Sequence, residues 1–195
     1  MRRMSMETSL ALDHVLRAAD GNFEAMLELH RPRVLRFILA SVRNRETAEN
    51  LTQDCLLRAY KARGRFRGEA AFGTWLMSIA ANVVRSHESR SRLKFWRRAL
   101  RPVTGAGEER GPAADWVPAG EMSPEEIVMA KEQIEVIWRA AAHLPERQRT
   151  VLLLRFVEDM ELLEISAVTG MKEGTVKTHL FRALKSVRSA LENKL

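Results

Sequence analysis

Lys172, Glu173, Thr175, Lys177, Thr178 and Arg182 are crowded into the stretch "KEGTVKTHLFRALKSV". At helical spacing they occupy one side of the first turns. Val176, Leu180, Ala183, Leu184, Val187 and Leu191 continue along the other side. Lysine and arginine can hold phosphates or guanine edges, and threonine can meet bases or phosphates. A helix N-terminus itself favours an anion. This chemistry is recognition of an anionic polymer, with no bond made or broken.

Such a face needs something to aim it. The preceding "MELLEISAV" (160–168) predicts a short helix, and "TGM" with Gly170 a tight turn. Two short helices joined by a glycine-containing turn make a helix-turn-helix, with Ile165 and Val168 packing on Val176 and Leu180. The first turns of the second helix are the part that enters a major groove. An ordinary amphipathic surface helix has the same stripe. The preceding helix, the glycine turn and the small Gly174–Thr175 pair favour DNA contact.

The whole chain fits an anionic partner. Its 195 residues carry a net charge of +7, with 46% hydrophobic and 29% charged residues. That is globular and basic, which suits nucleic acid or a membrane surface. Charge is segregated along the chain. Arg58–Arg67 holds five bases and no acid, Arg85–Arg101 seven bases and one acid, and Lys172–Lys194 six bases and two acids. Glu108–Glu135 carries eight acids against two bases. No apolar run approaches the roughly 20 residues that span a bilayer. The N-terminus does not read as a signal peptide, and a lone cysteine, Cys55, fits a reducing compartment. The reading is a cytoplasmic protein without stable membrane insertion.

Alanine, leucine, arginine and glutamate dominate, which favours an all-α fold. Arg101–Pro124 holds four of the six prolines and four of the ten glycines. It predicts a flexible linker (101–124) between two small helical domains, 1–100 and 125–195. Helices are expected at 9–19, 22–42, 45–62 and 71–89, with Pro32 kinking or dividing the second. In the C-terminal half they are expected from Ser123 to Leu144, then at 146–157, 160–168 and from Lys172 to about Asn193. Ser123, Pro124 and Glu126 form the start signal for the first of these. Cys55 and Phe72 are expected in the core, Leu184 on a buried face, and Phe156 among the apolar positions of 146–157.

Enzyme chemistry finds no support. The five histidines are dispersed, no Cys/His metal spacing exists, and no glycine-rich phosphate cradle appears. No metal, cofactor or small-molecule substrate is expected.

Two separated blocks resemble one family. "LPERQRTVLLLRF" with "EISAVTGMKEGTVKTHLFRALKSVR" resembles the C-terminal domain of bacterial RNA polymerase sigma factors of the extracytoplasmic-function group, in the sigma-70 family. "AENLTQDCLLRAYKA" is similar to the helix by which these factors dock on polymerase. "RFRGEAAFGTWLMSIAANVVRSHESRSR" is similar to the segment that opens and reads the minus-10 promoter element. The likeness covers most of 20–192, in the right order.

The resemblance implies a factor that brings core RNA polymerase to promoter DNA and has no catalysis of its own. It implies that Glu49, Asn50, Gln53 and Asp54 meet a basic coiled coil of the largest polymerase subunit, although a solvated helix face has the same composition. It implies that Phe66, Arg67, Gly68 and Glu69, in a loop reaching Ala71, take up a flipped base. Asn82 touches a neighbouring base and Arg85 continues the phosphate side. Trp75 is read as base contact or core alike. The recognition helix is assigned to the minus-35 element. The family further implies an antagonist, an anti-sigma factor, able to hold the protein at the membrane. Short of a partner, the two domains are expected to move independently.

Some positions depart from the family. Glu161 and Lys172 stand where it often has serine, so two helix caps are expected to be missing, with Asp159 the substitute for the first. Leu163 and Asn50 stand where acids are common, and an apolar contact is expected at Leu163. The competing reading is an autonomous helix-turn-helix regulator. "EGTVKTHL" also resembles response-regulator output domains, but the helical N-terminal half lacks the α/β receiver pattern that reading needs.

Overall fold

The structure is a computed structural model and describes residues 23–68, 70–99 and 134–192. The expected helix at 9–19, the linker 101–124, the Ser123 capping signal and Glu69 lie outside these residues. Among the described residues all regular structure is helical, as expected.

Three helices form an N-terminal bundle: α1 (Phe23–Val42), α2 (Arg45–Lys61) and α3 (Phe72–Ala99), with a 3-10 turn at Arg63–Arg65. Helix α1 runs through Pro32 without dividing there, so of the two expected outcomes division does not occur. Pro32 lies on the exposed side, where the carbonyl it leaves free can bond water. Asn44 caps α2, its Oδ1 accepting from the Thr47 amide at 2.8 Å. Helix α3 runs about ten residues past its expected end, because the basic stretch there lacks an apolar period but not helix propensity. Val34, Phe37, Ile38, Ala48, Cys55, Ala59, Phe72 and Leu76 fill the core of this bundle.

Arg43, between α1 and α2, adopts a left-handed φ of 56° while its amide donates to the Leu39 carbonyl at 2.8 Å. This conformation costs a residue with a Cβ about 1–2 kcal/mol.

The C-terminal bundle comprises α4 (134–142), α5 (Glu146–Phe156), α6 (Leu162–Thr169) and α7 (Glu173–Glu192). Val151, Leu154, Ile165, Val168 and Val176 are buried as their periodicity predicts. Phe156 and Leu184 are not: they are 59% and 43% exposed. With Ile137 and Trp138 they line an open apolar groove of about 360 Å³. The helical period shows which face is apolar, but not how far a neighbouring helix covers it.

The two bundles are present as expected, but they are packed together. Helix α6 packs on α3 and α5 on α1, and one apolar core runs through both bundles. The expectation of independent movement does not describe this arrangement.

Cys55 is buried as expected. Burial first, and the neighbouring Asp54 carboxylate second, push its thiol from 9.0 up to about 12, while Arg58 pulls the other way. At pH 8 this lowers the thiolate population about a thousandfold. A disulfide reagent at pH 8 should therefore leave the folded protein unlabelled and react at once in denaturant. Rapid stoichiometric labelling of the native chain would contradict this packing.

Candidate nucleic-acid interface

The helix-turn-helix consists of α6, the turn Gly170–Lys172 and α7. Gly170 ends α6 at φ 69°, its amide donating to the Ser166 carbonyl at 2.9 Å. The start of α6 is capped in a way the sequence reading missed. Glu161 is itself the N-cap and forms a reciprocal capping box with Glu164, whose Oε2 accepts from the Glu161 amide at 2.8 Å. Asp159 takes no such role; it adopts a left-handed φ of 49° in the preceding turn. The carbonyl of Lys172 accepts from the Thr175 and Val176 amides and so starts α7.

Lys172, Glu173, Thr175, Lys177, Thr178 and Arg182 are all exposed, while Val176 beneath them is buried. Lys177 pairs with Glu173 at 2.7 Å, and the Thr178 hydroxyl donates to the Gly174 carbonyl at 2.9 Å. Exposed pairs of this kind are worth at most about 1 kcal/mol, so a phosphate can displace them. His179 stays neutral more readily than a free histidine, because partial burial and then Arg147 and Arg182 lower its pKa. Leu163 is 72% exposed, so the apolar contact expected there is not made.

In the N-terminal bundle the loop before α3 is anchored by aromatic rings. Phe66 lies 5.3 Å from Phe72 and 5.2 Å from Trp75, centroid to centroid. Phe23 meets Phe72 and Trp75 from the far side. Phe72 is core, as expected, and Trp75 is half-buried within the same cluster. Phe66 and Trp75 thus brace the loop, while Arg67 and Asn82 face solvent. Gly68 sits at φ 72° at the bend of the loop. Trp75, Asn82 and Arg85 follow one side of α3 at helical spacing, but Arg85 is engaged. Its Nε lies 3.2 Å from Glu146 Oε1 of the other bundle, in a small cleft shared with Arg147 and Gly170.

On α2, Glu49, Asn50 and Gln53 are exposed and Asp54 is half-buried, forming one stripe. Arg45 pairs with Glu49 at 3.0 Å and Arg58 with Asp54 at 2.8 Å. The acidic face is therefore partly neutralised within its own helix. Among the described residues no cluster of potential metal ligands exists, and no helix is long and apolar enough to cross a membrane.

Glu158 stands out by no strong local pattern. Its carboxylate is fully buried and takes two guanidinium groups from α1. Arg36 binds it in a fork at 3.0 and 2.8 Å, and Arg33 adds a bond at 3.1 Å. The available signal was weak: one acid beside Val157 and Met160 after an apolar helix, and two arginines three residues apart on α1.

Known families match both bundles. The model for sigma-70 region 2 matches residues 26–93, and that for sigma-70 region 4 matches 134–187. The chain belongs to the sigma-70 family. Within that family several of its relatives are extracytoplasmic-function sigma factors. It is 28% identical over 184 residues to the RNA polymerase sigma-H factor of Pseudomonas aeruginosa, covering 93% of this chain and 92% of that one. It is 24% identical to the sigma factor SigW of Bacillus subtilis, covering 97% and 100%. The fold matches the sigma factor RpoE solved with the anti-sigma factor NepR from Bartonella quintana, at a TM-score of 0.65 and 19% identity over 87% and 96% of the chains. It also matches CnrH solved with the cytosolic domain of CnrY, at a TM-score of 0.63 and 16% identity over 96% and 98%.

The two glycines of this sigma factor's helix-turn-helix should respond oppositely to alanine. Neither position has an atom within 4 Å of an added Cβ, so conformation alone decides. Gly170→Ala, at positive φ, should cost about 1–2 kcal/mol. Gly174→Ala, in the first turn of α7, should be neutral or stabilise by up to about 1 kcal/mol. Urea unfolding of the two variants checks the signs.

Proposed function

We propose that this sigma factor binds core RNA polymerase and directs it to a subset of promoters, reading the minus-10 element with the N-terminal bundle and the minus-35 element with α7. The observation that carries this reading is the pairing, on one chain and in order, of a region 2 segment with a region 4 segment whose recognition face is exposed. An autonomous regulator needs only the second.

The roles divide by chemistry. Glu49, Asn50, Gln53 and Asp54 offer a polar, acidic stripe for a basic partner on core polymerase, where charge complementarity sets orientation and speeds encounter. Arg67 and Gly68, in the loop braced by Phe66 and Trp75, together with Glu69 and with Asn82 of α3, are assigned to the opened strand. Arg85 supplies a cation for a strand phosphate. Lys172, Lys177 and Arg182 supply cations to the minus-35 duplex, and Glu173, Thr175 and Thr178 supply groups for base edges. Two relatives of this fold were solved with anti-sigma factors, which supports an antagonist of that kind for this chain. The protein works in the cytoplasm, beside polymerase. It contributes binding and orientation while polymerase performs the chemistry, so it is not itself an enzyme.

Run-off transcription of fragmented host DNA by core polymerase should yield discrete new transcripts only when this protein is present. Tight duplex binding without core, and no such transcripts, would favour the autonomous regulator. Charge reversal at Asp54 should weaken core binding while the helical content stays intact; unchanged affinity would remove the docking assignment. Arg182→Ala should cost about 1–3 kcal/mol on promoters that need the minus-35 element. Equal loss on promoters lacking that element would count against its role.

A further inference from the structure

Thr175, His179 and Arg182 stand at i, i+4 and i+7 on α7, one row along the helix. Thr175 and Arg182 are exposed. His179 between them is half-buried, where α7 meets the α5 it packs on. Its Nδ1 is buried and makes no hydrogen bond among the described residues. Nε2 is therefore the edge left for a group arriving from outside. Arg147, exposed in the first turn of α5, lies close enough to act on the imidazole electrostatically, as does Arg182.

We propose that Arg147, His179 and Arg182 form a seat for one phosphate of the minus-35 duplex, and that His179 takes up a proton as the phosphate arrives. The proposal rests on the functional reading above and adds to it two contacts and a proton. Arg147 comes from a helix other than the recognition helix, so the seat serves the DNA backbone rather than base edges.

The charges around the imidazole suit an anion. The acids of the neighbouring elements are already engaged. Glu146 is held by Arg85 at 3.2 Å and Glu173 by Lys177 at 2.7 Å. Glu161 and Glu164 close their capping box, and Glu161 also meets Arg155. Arg149 of α5 is paired with Glu88. The small cleft beside Arg147 adds only Thr150, Thr169, Gly170 and Met171 to the Arg85–Glu146 pair, and Lys172 before α7 adds another cation.

In the free protein burial first, and then the two guanidinium groups, hold the His179 pKa below its ordinary value. A phosphate in the seat offsets both guanidinium charges and favours the imidazolium. Neutral imidazole can donate to it through Nε2; the imidazolium donates the same bond about twice as strongly. A pKa that is low in the free state and raised in the complex makes binding consume a proton. Affinity then rises as pH falls between those two values, by at most about tenfold per pH unit for one proton.

The test uses the full chain on core polymerase and a promoter duplex recovered from the run-off transcripts, with affinity measured from pH 8 to pH 6. Wild type should bind about fivefold to tenfold more tightly at pH 6. His179→Gln should flatten that profile. His179→Arg, cationic throughout, should keep the tighter affinity at pH 8. Arg147→Gln should weaken binding equally on every minus-35 sequence and reduce the slope of log affinity against log salt by about one. Neutral methylphosphonates, placed one at a time along the minus-35 duplex, should find one position that removes the pH dependence of wild type. Circular dichroism checks folding; if His179→Gln does not fold, His179→Arg and the methylphosphonate scan decide.

A flat profile in wild type, or one that survives His179→Gln, would overturn the seat. So would an unchanged salt slope in Arg147→Gln, or a scan in which no phosphate carries the pH dependence. Absence of core-dependent promoter binding at every pH would instead sink the functional reading, and the seat with it.

Discussion

A carboxylate without exposed surface is tolerable in a protein only where fixed partners replace its water. Glu158 meets this condition through Arg33 and Arg36, three residues apart on α1 of the other bundle. Removing one partner from such a cluster typically costs about 3–5 kcal/mol. The turn that carries Glu158 also starts α6, so the requirement propagates. It fixes where the Glu161–Glu164 capping box begins, and so where the helix-turn-helix sits against α3.

The aromatic cluster works on the same principle at the other reading surface. Phe23, Phe66, Phe72 and Trp75 meet at centroid distances of 5.2–6.1 Å. They hold a short loop by its first residue, and the chain bends at Gly68, whose φ is 72°. A loop that must accept a base benefits from rigid ends, because less ordering remains to be done on binding.

The helices were legible in the sequence because burial and period agree: Val34, Phe37, Cys55, Phe72, Ile165 and Val176 are buried where the spacing puts them. The recognition face was legible for the complementary reason, that exposed polar residues over a buried Val176 follow from period alone. What depended on distant residues was not legible. The pairing of Arg33 and Arg36 with Glu158 joins positions more than a hundred residues apart, and no local pattern encodes it. Phe156 and Leu184 failed similarly, since their exposure depends on where a neighbouring helix stops. Pro32 does not divide α1, because its lost hydrogen bond falls on the wet side of the helix. At Glu161 the family habit of serine hid a glutamate pair that does the same work.

Arg43 shows what the joining of two bundles does to sequence choice. Judged within its own bundle, the left-handed turn would be better served by glycine, which adopts φ 56° without strain. Glycine, however, has nothing with which to reach Glu135. The sequence that is best for the three-helix bundle alone and the sequence that is best for the whole molecule therefore differ at this residue. Optimising each half separately would yield two sturdier pieces that hold each other less well.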